Sequence, residues 1–158
     1  MSYIMDLRKI VGHRPLLQVG ASVIVVDENN RILLQLRSDN NTWGYAGGSV
    51  DLDENVEDAA KRELYEETGL IAEDLILLGV FSGKHMHNTY PNGDEVSNID
   101  IVFVCQKYHG DLLCQTGEVE KLKFFHISDL LLVRFFRMRL LAQRLDCLLS
   151  FSPSFVEK

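Results

Sequence analysis

Apolar positions along this chain follow two periods. Residues 19–26, VGASVIVV, form a β-branched apolar run that predicts a buried strand. Asp27, Glu28, Asn29 and Asn30 supply turn chemistry, and residues 31–37, RILLQLR, read as a second strand, so 19–37 is expected to be a hairpin. Residues 3–11 predict a short amphipathic helix. Residues 38–42 are polar and loop-like, and 43–50 carry three glycines, which predicts irregular backbone. Helical periodicity occupies 55–68 and stops at Gly69, where a left-handed cap residue belongs. Strands are expected at 75–82, 99–108 and 121–127. Between the first two, residues 83–98 read as a long polar loop containing Pro91, Asn92 and Gly93. Ser128 or Asp129 is placed to cap a last helix running to about residue 149. Strands and helices mix without regular alternation, which predicts an α+β class.

Length and charge sharpen this picture. With 158 residues the expectation is one domain: an N-terminal helical extension over 1–15, a core over 16–130, and a C-terminal helix and tail over 131–158. Apolar runs such as 21–26 are too short to cross a bilayer, and the first ten residues lack the apolar stretch of a secretion signal. Cys105, Cys114 and Cys147 have no metal-ligand spacing and read as reduced thiols, so a cytoplasmic protein is expected. Segment 51–74 holds ten acids and two bases, whereas the rest of the chain is close to neutral. No basic stripe exists for nucleic acid. The acidity points instead to a solvated tract or a divalent-cation site.

A helical wheel separates those two. With Glu63 at zero, Glu66 falls near about −60° and Glu67 near about +40°, in an arc shared with Val56, Ala59, Ala60 and Leu64. A solvated acidic face should lie opposite the apolar stripe. Carboxylates aimed inward need compensation, which a hard divalent ion such as Mg²⁺ supplies. Arg62 stands beside Glu63 as a local counter-charge. An EF-hand fails, because Val56 stands at its glycine position and Arg62 at its glutamate.

Residues 48–70, GSVDLDENVEDAAKRELYEETGL, resemble the Nudix box, with Gly48, Glu54, Arg62, Glu63, Leu64, Glu66, Glu67, Gly69 and Leu70 at its fixed positions. The resemblance reaches over roughly 16–130 and marks the chain as similar to MutT-like, single-domain Nudix hydrolases of the bacterial type. It implies an α/β/α sandwich around a mixed β-sheet. It also implies a Mg²⁺-dependent (or Mn²⁺-dependent) hydrolase that cleaves a phosphoanhydride in a nucleoside diphosphate linked to another moiety: a nucleotide sugar, a dinucleotide or a nucleoside triphosphate. Carried over, Glu63, Glu66 and Glu67 are metal ligands. Glu54 ligates metal or positions the water, and the Gly48 carbonyl joins the ligands. Arg62 and Glu63 enter the catalytic set. The base is a box glutamate or a later one, Glu118 or Glu120, of which only one is expected to act. Ala46 stands where the family often has proline, and Asp51 and Asp53 where glutamate and glycine are frequent.

Other residues are weighed singly. Tyr45 and Tyr90 are candidates to stack on a base, against a reading as partial core. Arg37 ends a strand aimed at the glycine loop and is a candidate phosphate holder, as is Lys84. Gly47 lets backbone approach the phosphates. His85 and His87 lack a third ligand and read as surface residues. Phe81, Phe103, Phe124 and Phe125 read as core. Arg134, Arg137 and Arg144 share one face of an otherwise apolar last helix, which leaves a homodimer contact open. The expected partner is a small nucleotide, with neither nucleic acid nor membrane. Pro91 and Tyr90 lie twenty-one and twenty residues past Leu70, which matches neither the ADP-ribose nor the diadenosine polyphosphate spacing. The rival reading is a non-catalytic nucleotide-binding sensor on the same fold. All four box glutamates and the absence of room for a DNA-binding module weigh against it.

Overall fold

The computed structural model describes residues 3–38, 41–90, 92–114, 117–130 and Leu145. Among the described residues, the named strands and α-helices run in the order α1 (Tyr3–Val11), β1 (Leu16–Val25), β2 (Arg31–Arg37), β3 (Trp43–Gly44), β4 (Ala46–Ser49), α2 (Val56–Thr68), β5 (Ile71–Ala72), β6 (Ile76–Phe81), β7 (His87–Thr89), β8 (Glu95–Cys105), β9 (Tyr108–His109), β10 (Val119–His126) and α3 (Ile127–Leu130). The class is α+β, as the strand and helix pattern predicts.

A mixed sheet carries the order β4-β1-β8-β6, with β7 added to the start of β8. Its β1–β8 pair is parallel, and β4, β6 and β7 join antiparallel. A second, antiparallel sheet has the order β10-β2-β3, and β5 pairs with β9. The expected hairpin over 19–37 is therefore corrected. β1 and β2 meet only at the bridge Val26↔Ile32, and each continues into a different sheet. The reason lies in their burial. From Ala21 to Val25 in β1 and from Ile32 to Gln35 in β2 every residue is buried, so these stretches are covered on both faces.

Alternation along the strands divides the interior. Ala21, Val23, Val25, Leu33 and Phe103 join Ala59, Ala60 and Leu64 of α2 in one cluster. Ile24, Val26, Ile32, Leu34, Val102 and Val104 form the other, with Leu145 buried among them. Phe81 and Phe125 pack on the second cluster and Phe124 on the first, in keeping with their reading as core.

Two more expectations need correction. Residues 43–50 are the strands β3 and β4, with β4 registered against β1 as Ala21↔Gly48 and Ser22↔Gly47. Glycine favours loops on composition, but here it serves close approach within a sheet edge. Residues 83–98 are not a long loop. A 3-10 turn, Lys84–Met86, leads into β7, and a tight turn returns to β8 through Gly93 at φ 86°. α3 starts at Ile127, ahead of Ser128 and Asp129. The expected helix beyond residue 130, with Arg134, Arg137, Arg144 and its dimer face, and Cys147 lie outside the described residues. Among the described residues, no helix is long and apolar enough to cross a membrane.

Candidate metal-binding and catalytic site

Helix α2 is shaped by its ends and by one face. Asn55 occupies the N-cap in extended backbone, and Gly69 closes the helix at φ 78° with its N–H donating to the Tyr65 carbonyl. Ala59, Ala60, Leu64, Glu67 and Thr68 are buried. The buried arc is thus centred near Glu67 rather than Glu63. Glu66 is turned outward, with half of its side chain exposed. The expectation of three carboxylates sharing the inward arc holds for Glu67 and partly for Glu63, and is corrected for Glu66.

Glycine strand β4 makes room for these carboxylates. A Cβ at Gly48 would overlap the Glu63 carboxylate, and one at Gly47 would overlap the Ser22 side chain. The loop joining β4 to α2 bends at Asp53, whose φ of 62° is the left-handed conformation that glycine usually adopts and that aspartate tolerates.

Arg62 gathers the outer carboxylates. Its Nε donates to Glu54 Oε1 at 2.8 Å and its Nη2 to Glu54 Oε2 at 2.9 Å. Its Nη1 donates to Glu63 Oε1 at 2.7 Å, and it reaches Glu66 at 3.5 Å. Nη2 also donates to the Ser49 carbonyl at 3.1 Å, tying the helix to the end of β4. The bidentate guanidinium, with the Asp51 N–H, holds Glu54 down to a pKa of about 2. Arg62 is in turn held more firmly protonated by Glu54 and Glu63. Glu63 is pushed up by burial, despite Arg62.

Glu67 is in a different situation. It is 4% exposed, and burial raises its pKa to about 7. Its Oε2 accepts from the Gly47 N–H and from Gln35 Nε2, each at 2.9 Å. Behind β4, Asp100 on β8 accepts from Ser22 Oγ at 2.8 Å and from the Tyr45 hydroxyl at 2.9 Å. Tyr45 is thereby anchored to a buried carboxylate and packs on the second cluster, in keeping with its reading as partial core rather than as a platform for a base. Gln35, Ser22 and Asp100 were missed by sequence reasoning. Their signal was there, as single polar residues within apolar strands.

Arg37 ends β2, two residues from Gln35, and its charge reaches Glu67. Glu118 and Glu120 flank Val119, which pairs with Arg37. Both are exposed. A bulge falls between Val119 and Lys121 and Glu118 precedes the strand, so the two glutamates are not held on the one face that regular alternation gives residues two apart. Tyr90 sits in the β7–β8 turn opposite Asp94, six residues and roughly 20 Å along the strand from Asp100, so the fold does not bring it to the glutamates. Near that turn Arg8 donates to the Glu95 carbonyl and pairs with Asp94. His87 pairs with Glu95 at 3.3 Å on the surface.

Cation chemistry can be tested on this donor set. Among the described residues no three His, Cys, Asp or Glu side chains converge as a metal-holding group. Glu54 and Glu63 face Arg62 instead. The donors are nevertheless all hard oxygens, and two are carboxylates with raised pKa values, Glu67 buried and Glu63 part-buried, an arrangement that added positive charge relieves. The residues fit a divalent ion chemically.

Two packed sheets with a glutamate-bearing helix seated on a glycine edge strand define an α+β sandwich built to manage charge at one helix face. The chain belongs to the NUDIX domain family, whose model matches residues 16–144. It is 34% identical, over 67% of its length, to an ADP-ribose pyrophosphatase of Methanocaldococcus jannaschii, and 43% identical, over 42% of its length, to a MutT-like protein of Streptomyces ambofaciens. These alignments span 60% and 44% of those relatives' own lengths. A solved MutT Nudix hydrolase from Burkholderia pseudomallei superposes with a TM-score of 0.68 at 28% identity, covering 82% of this chain and 98% of that one.

Proposed function

We propose that this protein is a divalent-cation-dependent pyrophosphohydrolase acting on a nucleoside diphosphate linked to a second moiety. The observation that supports this most is the pair of carboxylates, buried Glu67 and part-buried Glu63, set against glycine strand β4 within a complete Nudix box. Glu63, Glu66, Glu67 and the Gly48 carbonyl would hold Mg²⁺ or Mn²⁺. Such an ion, when bound, activates water and offsets the charge of the phosphates.

The chain's own residues then divide the work. Gly47 and Gly48 keep side chains away from the phosphate path. Arg62 holds Glu54 ionised and oriented, so that it can join the metal ligands or position the water. Arg37, at the end of β2, offers a cation to the far phosphate. Glu118, on the exposed segment before β10, is the proposed base, and Glu120 is its alternative.

The M. jannaschii relative makes ADP-ribose the first substrate to try. Nucleotide sugars, dinucleoside polyphosphates and oxidised deoxynucleoside triphosphates complete the panel. Products should be two phosphate-bearing fragments. In ¹⁸O-labelled water the label should appear on phosphorus. Label on carbon, or no turnover of any substrate with Mg²⁺ or Mn²⁺, would overturn this reading.

A further inference from the structure

Gln35 is the odd residue of β2. Its strand neighbours Ile32, Leu33 and Leu34 are buried apolar side chains, yet Gln35 is itself only 2% exposed. Its Nε2 donates to Glu67 Oε2 at 2.9 Å, with a longer contact of 3.5 Å to the Tyr45 carbonyl. Its Oε1 has no hydrogen-bond partner, and no other buried side-chain nitrogen or oxygen among the described residues shares that condition. With Glu67 ionised, as a metal ligand must be, the amide cannot be turned over to repair this. Its oxygen would then face a carboxylate, which when ionised only accepts. A buried amide with one end unsatisfied is a poor choice for packing alone, since an apolar side chain of similar length fills the site without that cost. The amide is explained by the end that is used.

That end converges with the Gly47 N–H on one oxygen of Glu67. Two donors from two different strands fix the plane of the carboxylate, and both hydrogen bonds fall on Oε2. We propose that Gln35 is a positioning residue, which with the Gly47 N–H locks Glu67 Oε2 so that Oε1 is presented to the bound divalent ion. This rests on the reading of Glu67 as a ligand and adds a residue outside the glutamate motif.

The test is Mn²⁺ binding, measured by electron paramagnetic resonance of free Mn²⁺ without substrate. It compares wild type, Gln35→Met, Glu67→Gln, the double variant, and Ile32→Val as a packing control on the same strand. Gln35→Met should weaken Mn²⁺ binding roughly ten- to a hundred-fold, the scale for partners that orient a metal ligand. Ile32→Val should stay within about twofold of wild type even where it melts lower. In the Glu67→Gln background, Gln35→Met should add little, because its effect passes through Glu67.

Equal affinity in Gln35→Met and wild type overturns the proposal while leaving the metal reading intact. So does an equal loss in Ile32→Val, or full additivity with Glu67→Gln. A wild type that binds no Mn²⁺ overturns both readings together. Should Gln35→Met not fold, Gln35→Leu carries the same comparison.

Discussion

Two residues of the candidate site titrate in opposite senses. Glu67 has its folded pKa raised from 4.5 to about 7 by burial. Its contribution to stability is therefore complete below about pH 4.5 and is lost as pH rises through about 7. For the metal-free protein this amounts to something on the order of 3 kcal/mol. Glu54, lowered to about 2 by Arg62, contributes above pH 4.5 and loses that contribution as pH falls towards 2. In EDTA, the melting temperature should fall between pH 5 and pH 8, and Glu67→Gln should flatten that slope. A profile identical in both proteins rules out Glu67 as its source. Arg62→Lys keeps the charge but loses the two-pronged grip on Glu54, and should cost about 1–2 kcal/mol in urea unfolding. At this scale the box residues were legible in the sequence, since spacing fixes which side chains share a helix face. That Glu67 rather than Glu66 is the buried one was not, because α2 is covered by strands far away in the chain.

Among the elements, the glycine strand and the bulged strand carry the sharper consequences. Helix α2 approaches β4 closely only because Gly48 has no side chain. Gly48→Ala should displace the Glu63 carboxylate and lower kcat by roughly a hundred-fold or more, through the geometric precision that catalysis needs. Circular dichroism should show helix content preserved, and wild-type turnover would show that Glu63 need not sit there. Glu118→Gln should lower kcat about a hundred-fold, the general-base scale, with Mn²⁺ affinity little changed. If Glu118→Gln and Glu120→Gln both keep near-wild-type kcat at saturating metal, the base lies in the box, with Glu54 first. Periodicity located β2, β6, β10 and α2 within a few residues. It missed β4 and β7. Glycines in β4 and polar residues in β7 hide the strand pattern, and pairing with β1 and β8 supplies the order that local sequence lacks.

For the whole molecule, the site lies where both sheets and α2 meet: β1 and β4 from one sheet, β2 from the other, and the helix across them. A cation that binds only this assembled arrangement must stabilise the fold as a whole. At a hundred-fold excess over Kd the gain is about 2.7 kcal/mol. Millimolar Mg²⁺ or Mn²⁺ should therefore raise the melting temperature of wild type and have much less effect on a Glu66→Gln, Glu67→Gln double variant. Equal shifts in the two proteins would place the stabilising ion elsewhere.

Local pattern is enough for the family motif, the α+β class, the helix from its cap to Gly69, and the concentration of negative charge in one segment. Each is a matter of spacing or composition within a few turns of chain. Tertiary structure alone decided that β1 and β2 part into different sheets, that Gln35 and Gly47 converge on Glu67, that Tyr45 and Ser22 bind Asp100, and that Tyr90 stands away from the glutamates. Those outcomes depend on strand pairs separated by dozens of residues, such as β1 with β8 and β2 with β10. The choice among such pairings is made by which apolar faces can be covered together, and no local pattern records it.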